Sequence, residues 1–305
     1  MFEIVDLHFQ GEPEIIGSYV LRGPRGVALI ETGPGSTSTN LLKGLAALGI
    51  DPEEITDILL THIHLDHAGA AGYMAQRTGA TVHVHHVGAP HMVDPSKLLA
   101  SAARIYGDQM GPLWGDFLPV PATQINILHD GDVIDAAGVL VRAIDTPGHA
   151  YHHMSYWLDG VCFTGDVAAV RLPGYRHIRL PTPPPEFHLT LWKESVERLR
   201  ALKPDVIVPT HYGPKDDVDD HFDAVIEKLD ELTDYLRRRT LAGDSAGRMM
   251  AELPDWLAAQ ARREGVVEEG VHRYEVVVPS YMNVTGVLRY FRKVEGLAVD
   301  KPADG

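Results

Sequence analysis

Apolar residues along this chain fall into short runs broken by glycine, proline and polar positions, and their period changes along its length. Phe2-Glu3-Ile4-Val5, residues 18–21 and Val27-Ala28-Leu29-Ile30 read as short strands opening a sheet. Gly33-Pro34-Gly35-Ser36 breaks it, and Ser36 or Thr37 can cap a helix carrying Leu41, Leu42, Leu45 and Leu48 on one face. A strand over 56–61 follows, then a helix beginning near Asp66 and running through Met74, then a strand at Thr81-Val82-His83-Val84-His85-His86. The second half repeats this outline, with strands near 125–127, 132–134, 139–145 and 161–164, a helix from about Phe187 to Leu202, and a strand at 206–209. Leu189, Trp192, Val196, Leu199 and Leu202 form that helix's apolar face. Strand-then-helix alternation of this kind predicts a layered α/β sandwich.

Beyond residue 219 the period becomes helical. Phe222, Val225, Ile226, Leu229, Leu232 and Leu236 make one stripe, closed by Arg237-Arg238-Arg239 at the end where a helix dipole favours cations. Residues 241–305 read as a second amphipathic helix near Met249 to Ala261, a β-like run at Tyr274 to Val278, a last helix around Val284 to Phe291, and a frayed tail from Ala298 to Gly305. The division this predicts is a main domain over 1–240 and a helical C-terminal extension over 241–305 packed on it. Residues 92–128 are longer than an ordinary connection, with a helix start at 94–106 followed by Met110, Leu113, Trp114, Phe117 and Leu118 among Gly and Pro. An apolar lid over a site, packing on the sheet and a contact in a homodimer all remain open for this segment.

Composition narrows the class. Of 305 residues, 45% are apolar and 23% charged, as in ordinary globular proteins. The net charge of −15 repels polyanions and argues against a nucleic-acid partner. No run approaches a membrane span, and the N-terminus lacks a basic segment followed by an apolar core, so a cytoplasmic protein without a membrane partner is expected. Cys162 has no partner for an internal disulfide and reads as a small buried hydrophobe.

The candidate chemistry sits at Thr61-His62-Ile63-His64-Leu65-Asp66-His67, directly after Ile58-Leu59-Leu60. At a strand's end His62 and His64 project to the same side and can share one metal ion. Asp66 and His67 follow at the turn, close enough to serve a second. Imidazole with carboxylate suits zinc, iron or manganese rather than calcium or magnesium. His149 follows an apolar strand and a Pro-Gly turn, Asp166 ends Val161-Cys162-Phe163 behind a glycine, and His211 ends Val206-Ile207-Val208-Pro209. All lie at carboxyl ends of predicted strands, where sites in layered α/β proteins form.

His62-x-His64-x-Asp66-His67, Thr146-Pro147-Gly148-His149, Phe163-Thr164-Gly165-Asp166 and Pro209-Thr210-His211, in that order, resemble the motifs of the metallo-β-lactamase-fold hydrolases over roughly residues 15 to 240. The resemblance implies a four-layer αββα sandwich. It gives one metal to His62, His64 and His149, the other to Asp66, His67 and His211, and makes Asp166 the bridge. Where the family's first motif commonly has aspartate this chain has Glu31, a longer carboxylate behind the ligands. Many true β-lactamases use cysteine in place of the bridging aspartate, and Asp166 argues against that branch.

The function this implies is a hydrolase with two zinc ions, iron or manganese being alternatives. A metal-bridging hydroxide would cleave a small carboxylic ester, lactone or thioester. Asp66 is the candidate proton shuttle, and Tyr175 or Tyr212 a candidate support for the oxyanion. Arg171, Arg176 and Arg179, in a Pro-rich loop with no acid before Glu186, could receive a substrate carboxylate or phosphate or simply be solvated. Alternative readings are a phosphodiesterase of the same fold and a mononuclear iron enzyme resembling the persulfide dioxygenases. His83, His85, His86 and His91 are expected to be structural, with partly exposed imidazoles, and His152 and His153 structural or hydrogen-bonded to a ligand.

Overall fold

The computed structural model describes residues 2–299, so 300–305 of the expected frayed tail lie outside the described residues. Strands β1 (Phe2–Asp6), β2 (Gly17–Gly23), β3 (Gly26–Ile30), β4 (Ile55–Leu59), β5 (Thr81–His85) and β6 (Ile125–Leu128) form one sheet in sequential order. β1, β2 and β3 pair antiparallel, and β3 to β6 pair parallel. Helices α1 (Ser38–Ala47), α2 (Leu65–Ala68), α3 (Ala71–Thr78), α4 (Ala89–Val93), α5 (Ser96–Tyr106) and α6 (Met110–Trp114) fall between these strands. The second sheet has the order β11-β10-β9-β8-β7, from β7 (Val133–Ala136), β8 (Val139–Asp145), β9 (Met154–Leu158), β10 (Val161–Phe163) and β11 (Val206–Val208). Helices α7 (Leu189–Ala201), α8 (Val218–Leu241), α9 (Ala246–Arg263), α10 (Glu268–Val277) and α11 (Ser280–Lys293) complete the chain.

Period-2 alternation explains the layering. Val27 and Leu29 of β3 join a core shared with Leu41 and Leu45 of α1 and Met74 of α3. Ala28 and Ile30, on the opposite face, join Val141, Ala143, Tyr156 and Phe163 of the second sheet. Ile144 and Cys162 face outward again, into a third core with Trp192 and Val196 of α7, Phe222 and Leu229 of α8, and Val287 and Phe291 of α11. Three cores between successive layers make the expected αββα sandwich. Cys162 is fully buried among apolar neighbours, which pushes its thiol up to about 12.

Three local readings are corrected. The helix expected from Asp66 through Met74 is interrupted at Gly69-Ala70, where the Gly33-Pro34-Gly35 turn crosses it. A Cβ on Gly69 would lie 2.7 Å from Pro34 Cα, and Ala70 N–H donates to Gly33 O at 2.9 Å. Strand β9 escapes detection because Met154, Ser155 and Tyr156 are all buried and show no apolar–polar alternation. The β-like run at Tyr274–Val278 is instead the end of α10. Tyr274 is fully buried, its hydroxyl donating to His177 O at 2.7 Å and accepting from Leu172 N–H at 3.1 Å, and tertiary contacts override the β-branched preference.

The C-terminal helices support the loop beneath the site. Asn283 of α11 donates to Leu180 O at 2.6 Å and to Thr182 Oγ1 at 3.0 Å. Gly286 packs so closely that a Cβ there would lie 1.9 Å from Thr182 O. Gly286→Ala should therefore destabilise the fold by about 1–3 kcal/mol through overpacking. Denaturant unfolding checks this, and an unchanged midpoint would mean that α11 does not bear on this loop.

Candidate metal centre

Strand ends carry five of the seven candidate ligands and Glu31 to one rim, and the short helix α2 carries Asp66 and His67. His62 and His64 follow β4, His149 follows β8, Asp166 follows β10, His211 follows β11 and Glu31 follows β3. β8 and β10 run parallel to one another, because both pair antiparallel with β9, so their carboxyl ends emerge together. Gly148 allows the turn before His149. Its φ of +135° favours glycine, and a Cβ would lie 2.3 Å from Trp192 N. α7 then holds the turn: His188 N–H donates to Gly148 O at 2.8 Å, and Ser195 Oγ to Pro147 O at 2.6 Å.

The donor atoms gather in two neighbouring groups, His62 with His64 and His149, and Asp66 with His67 and His211. In the first, His64 Nδ1 lies 3.0 Å from His62 Nε2 and 2.9 Å from His149 Nε2. In the second, Asp66 Oδ2 lies 3.6 Å from His67 Nε2 and 3.5 Å from His211 Nε2. Asp166 stands between them. Its Oδ2 is 3.3 Å from His149 Nε2, while its Oδ1 is 3.3 Å from His67 Nε2 and 3.5 Å from His211 Nε2. One carboxylate thus offers an oxygen to each group.

Outer-nitrogen contacts turn the imidazoles inward. His149 Nδ1 donates to Pro181 O at 2.8 Å and His211 Nδ1 to Ile15 O at 2.9 Å, turning each Nε2 toward the cluster. His67 Nδ1 faces Glu31 Oε1 at 3.4 Å. Glu31 also accepts from Thr61 N–H at 3.3 Å, from the Thr61 hydroxyl and from Thr210 Oγ1 at 3.5 Å. Glu31 joins a third grouping with His62 and His67, but it does not line the cavity and braces the cluster from behind. His153 accepts from Asp166 N–H at 3.1 Å and bonds Thr146 Oγ1 at 2.9 Å, a positioning role. His152 stands on Glu186 at 3.2 Å.

Electrostatics fit a cationic guest. Burial opposes ionisation of Asp66, but His67 and His211 outweigh it and hold the carboxyl down at about 2. Burial likewise opposes protonation of His67, yet Asp166, Asp66 and Glu31 raise it well above the ordinary imidazole value. Burial holds His149 down at about 3 and His62 well below normal, so both offer neutral imidazole nitrogens. His67 Nε2 and Asp166 Oδ1 are buried without a hydrogen-bond partner among the described residues. Buried carboxylates and an orphaned imidazole facing one point fit a divalent metal, and this nitrogen–oxygen donor set is one for zinc, iron or manganese.

The cluster opens into a cavity of about 290 Å³ that His64, Asp66, His149 and Asp166 line from within. Leu98, Ala102, Ile105, Tyr106, Leu113 and Trp114, all from the 92–128 segment, form one wall, so that segment covers the centre. Val276 to Pro279 and Met282 form another, with Pro181 to Glu186 between. The sequence did not single out Tyr106; its signal was only an aromatic at the end of a helix in a long insertion.

The remaining candidates stand elsewhere. Arg171 pairs with Asp217 at 2.7 Å, Arg176 with Asp220 at 3.1 Å, and Arg179 is buried against Glu275 at 2.9 Å. Tyr175 packs on Tyr274 at 6.3 Å, and Tyr212 lies against Gly17. Neither these tyrosines nor the arginines line the cavity. His83 and His85 are buried rather than partly exposed, because Asp57 and Asp145 pair with them at 2.8 and 3.1 Å.

Fold and site together define a metal-dependent hydrolase. The chain belongs to the metallo-beta-lactamase superfamily, whose family model matches residues 12–211. It is 30% identical to the metallo-beta-lactamase fold-containing protein ST1585 of Sulfurisphaera tokodaii over 204 residues, 66% of this chain and 74% of that one. The crystal structure of ST1585, there from Sulfolobus tokodaii, superposes with a TM-score of 0.60 at 27% identity, covering 76% of this chain and 85% of the other. A metallo-beta-lactamase family protein from Thermus thermophilus shares the fold over 97% of this chain and 94% of its own, with TM-score 0.64 at 23% identity. A hydroxyacylglutathione hydrolase of Aeromonas hydrophila is 31% identical over 168 residues, 55% of this chain but only half of that enzyme's length. Among the described residues no helix is long and apolar enough to cross a membrane.

Proposed function

We propose that the protein is a dinuclear hydrolase of small carboxylic esters, lactones or thioesters whose acyl part is apolar. The observation that carries this reading is the joining of the Asp66 and Asp166 carboxylates to one apolar-walled cavity. His62, His64 and His149 would hold one ion, Asp66, His67 and His211 the other, and Asp166 both, with two zinc ions as the expected complement. Such ions supply Lewis acidity and an acidified water for attack on an electrophilic carbonyl.

The chain's own residues do the rest. The Asp66 carboxylate, held ionised, accepts the proton released as water attacks and passes it to the leaving group. Leu98, Ile105 and Leu113 hold the acyl part and exclude water from the reacting carbonyl. Lys97 is the only lysine or arginine among the lining residues, so the cavity favours an acyl group over a polyanion. A hydroxyacylglutathione hydrolase and an Aspergillus fumigatus atrochrysone carboxyl ACP thioesterase among the relatives are consistent with thioester chemistry.

Metal content by elemental mass spectrometry, followed by a panel of acyl esters, lactones, acyl thioesters and phosphodiesters, tests the reading. About two zinc ions per chain and turnover confined to acyl substrates are expected, with activity lost to a chelator and regained on zinc. One iron per chain, or turnover of phosphodiesters alone, would overturn it.

A further inference from the structure

We infer that Tyr106 is a catalytic residue, donating a hydrogen bond to the substrate's carbonyl oxygen in the cavity beside Asp66 and Asp166. The inference rests on the proposed acyl hydrolysis and places at Tyr106 the oxyanion support expected of Tyr175 or Tyr212, neither of which reaches the cavity. Tyr106 ends α5 and lines the same space as the metal-facing residues. Its hydroxyl has one partner among the described residues, the Met282 thioether at 3.6 Å. A thioether is a weak acceptor, so a substrate oxygen can replace it with gain.

The ring is held in place. Trp114 meets it edge-on at 5.0 Å, and Phe9 stacks on Trp114 at 5.6 Å. The return of the segment is pinned to the turn beside the metal centre. Ser36 Oγ donates to Leu113 O at 2.6 Å, and Gly115 packs so closely that a Cβ would lie 2.5 Å from Ser36 N. A second donor lies in the same wall: Trp114 Nε1 is buried with no partner among the described residues. Burial, with the nearby Asp66 carboxylate and Tyr281, raises the Tyr106 hydroxyl above its ordinary value, so it remains a neutral donor rather than a proton source. Such a donor strengthens its bond as charge grows on the carbonyl oxygen.

The test is calorimetric binding of hexylphosphonate, which mimics the tetrahedral oxyanion, and of hexanol, which fills only the apolar wall. Both are measured on metal-loaded wild type and Tyr106→Phe. Phosphonate affinity should fall about tenfold or more, as for loss of one hydrogen bond to a charged group, with hexanol affinity unchanged within about twofold. Equal losses for both probes would make Tyr106 a packing residue and overturn the inference, as would no loss or no phosphonate binding by the wild type. On any acyl substrate turned over, kcat should fall by about 10²-fold with KM little changed. Tyr106-dependent phosphonate binding without turnover of any ester, lactone or thioester would sink the proposed function while leaving this donor in place.

Discussion

Asp166→Ala should abolish turnover, by on the order of 10³-fold or more, and lower the content of both metal ions rather than one. The expectation follows from how this carboxylate divides, Oδ2 toward His149 and Oδ1 toward His67 and His211. Removing it takes a carboxylate oxygen from each group and leaves three imidazoles facing a void. Asp66→Ala makes the comparison sharp, because Asp66 contacts only His67 and His211 in the cluster. That variant should keep about one ion per chain, on His62, His64 and His149, and still lose turnover while the fold persists. Elemental analysis of the two variants beside the wild type reads both outcomes. Loss of one ion in each variant would show that Asp166 belongs to a single site, and full activity of Asp66→Ala would sink the two-metal mechanism.

Legibility in the sequence followed the range of the interactions. His62, His64, Asp66 and His67 stand within one turn, while His149, Asp166 and His211 each follow an apolar run inside a motif that resembles the family's, and the structure brings all seven together. The layering was legible in the order of short apolar runs and helical stripes, such as Val27 to Ile30 followed by Leu41, Leu42, Leu45 and Leu48; that Val27 and Leu29 fill one core and Ala28 and Ile30 another emerges only from the packed sheets. What pattern could not carry was pairing at a distance. The arginine loop looked free of acids locally, yet Asp217, Asp220 and Glu275 reach it from the turn before α8, from α8 and from α10. His83 looked half exposed until Asp57, on the neighbouring strand, supplied its partner. β9 was hidden because a strand covered on both faces has no alternation to read.

The cavity shows the same limit on a larger scale. Its walls come from residues as far apart as Phe9, Tyr106, Pro181 and Met282, and no local period announces such a meeting. A helical extension is therefore more than an appendage to the centre. Asn283 holds Leu180 O and Thr182 Oγ1, while the neighbouring Pro181 O holds the His149 ring. Packing in the last helix thus bears on the orientation of a metal-facing imidazole through one loop.

Glu31 gives the second large effect, and it separates charge from shape. Glu31→Ala should weaken metal binding by about 10- to 100-fold, as expected when a group orienting a ligand is lost. It should also destabilise the fold by about 2–4 kcal/mol. Alanine would leave Thr61 and Thr210 without their buried acceptor and His67 Nδ1 without the carboxylate it faces. Glu31→Gln keeps the volume and one carbonyl acceptor but removes the negative charge that faces His67 Nδ1 at 3.4 Å. Its loss of stability should be smaller, with the loss of metal affinity largely retained, because the charge, not the packing, makes His67 a stronger ligand. Zinc competition against a chromogenic chelator, beside denaturant unfolding of the metal-free protein, measures the two effects separately. Equal metal affinity in Glu31→Gln and wild type would mean that Glu31 acts only as a backbone and threonine brace, and the orientation of His67 would then rest on Asp66 and Asp166 alone.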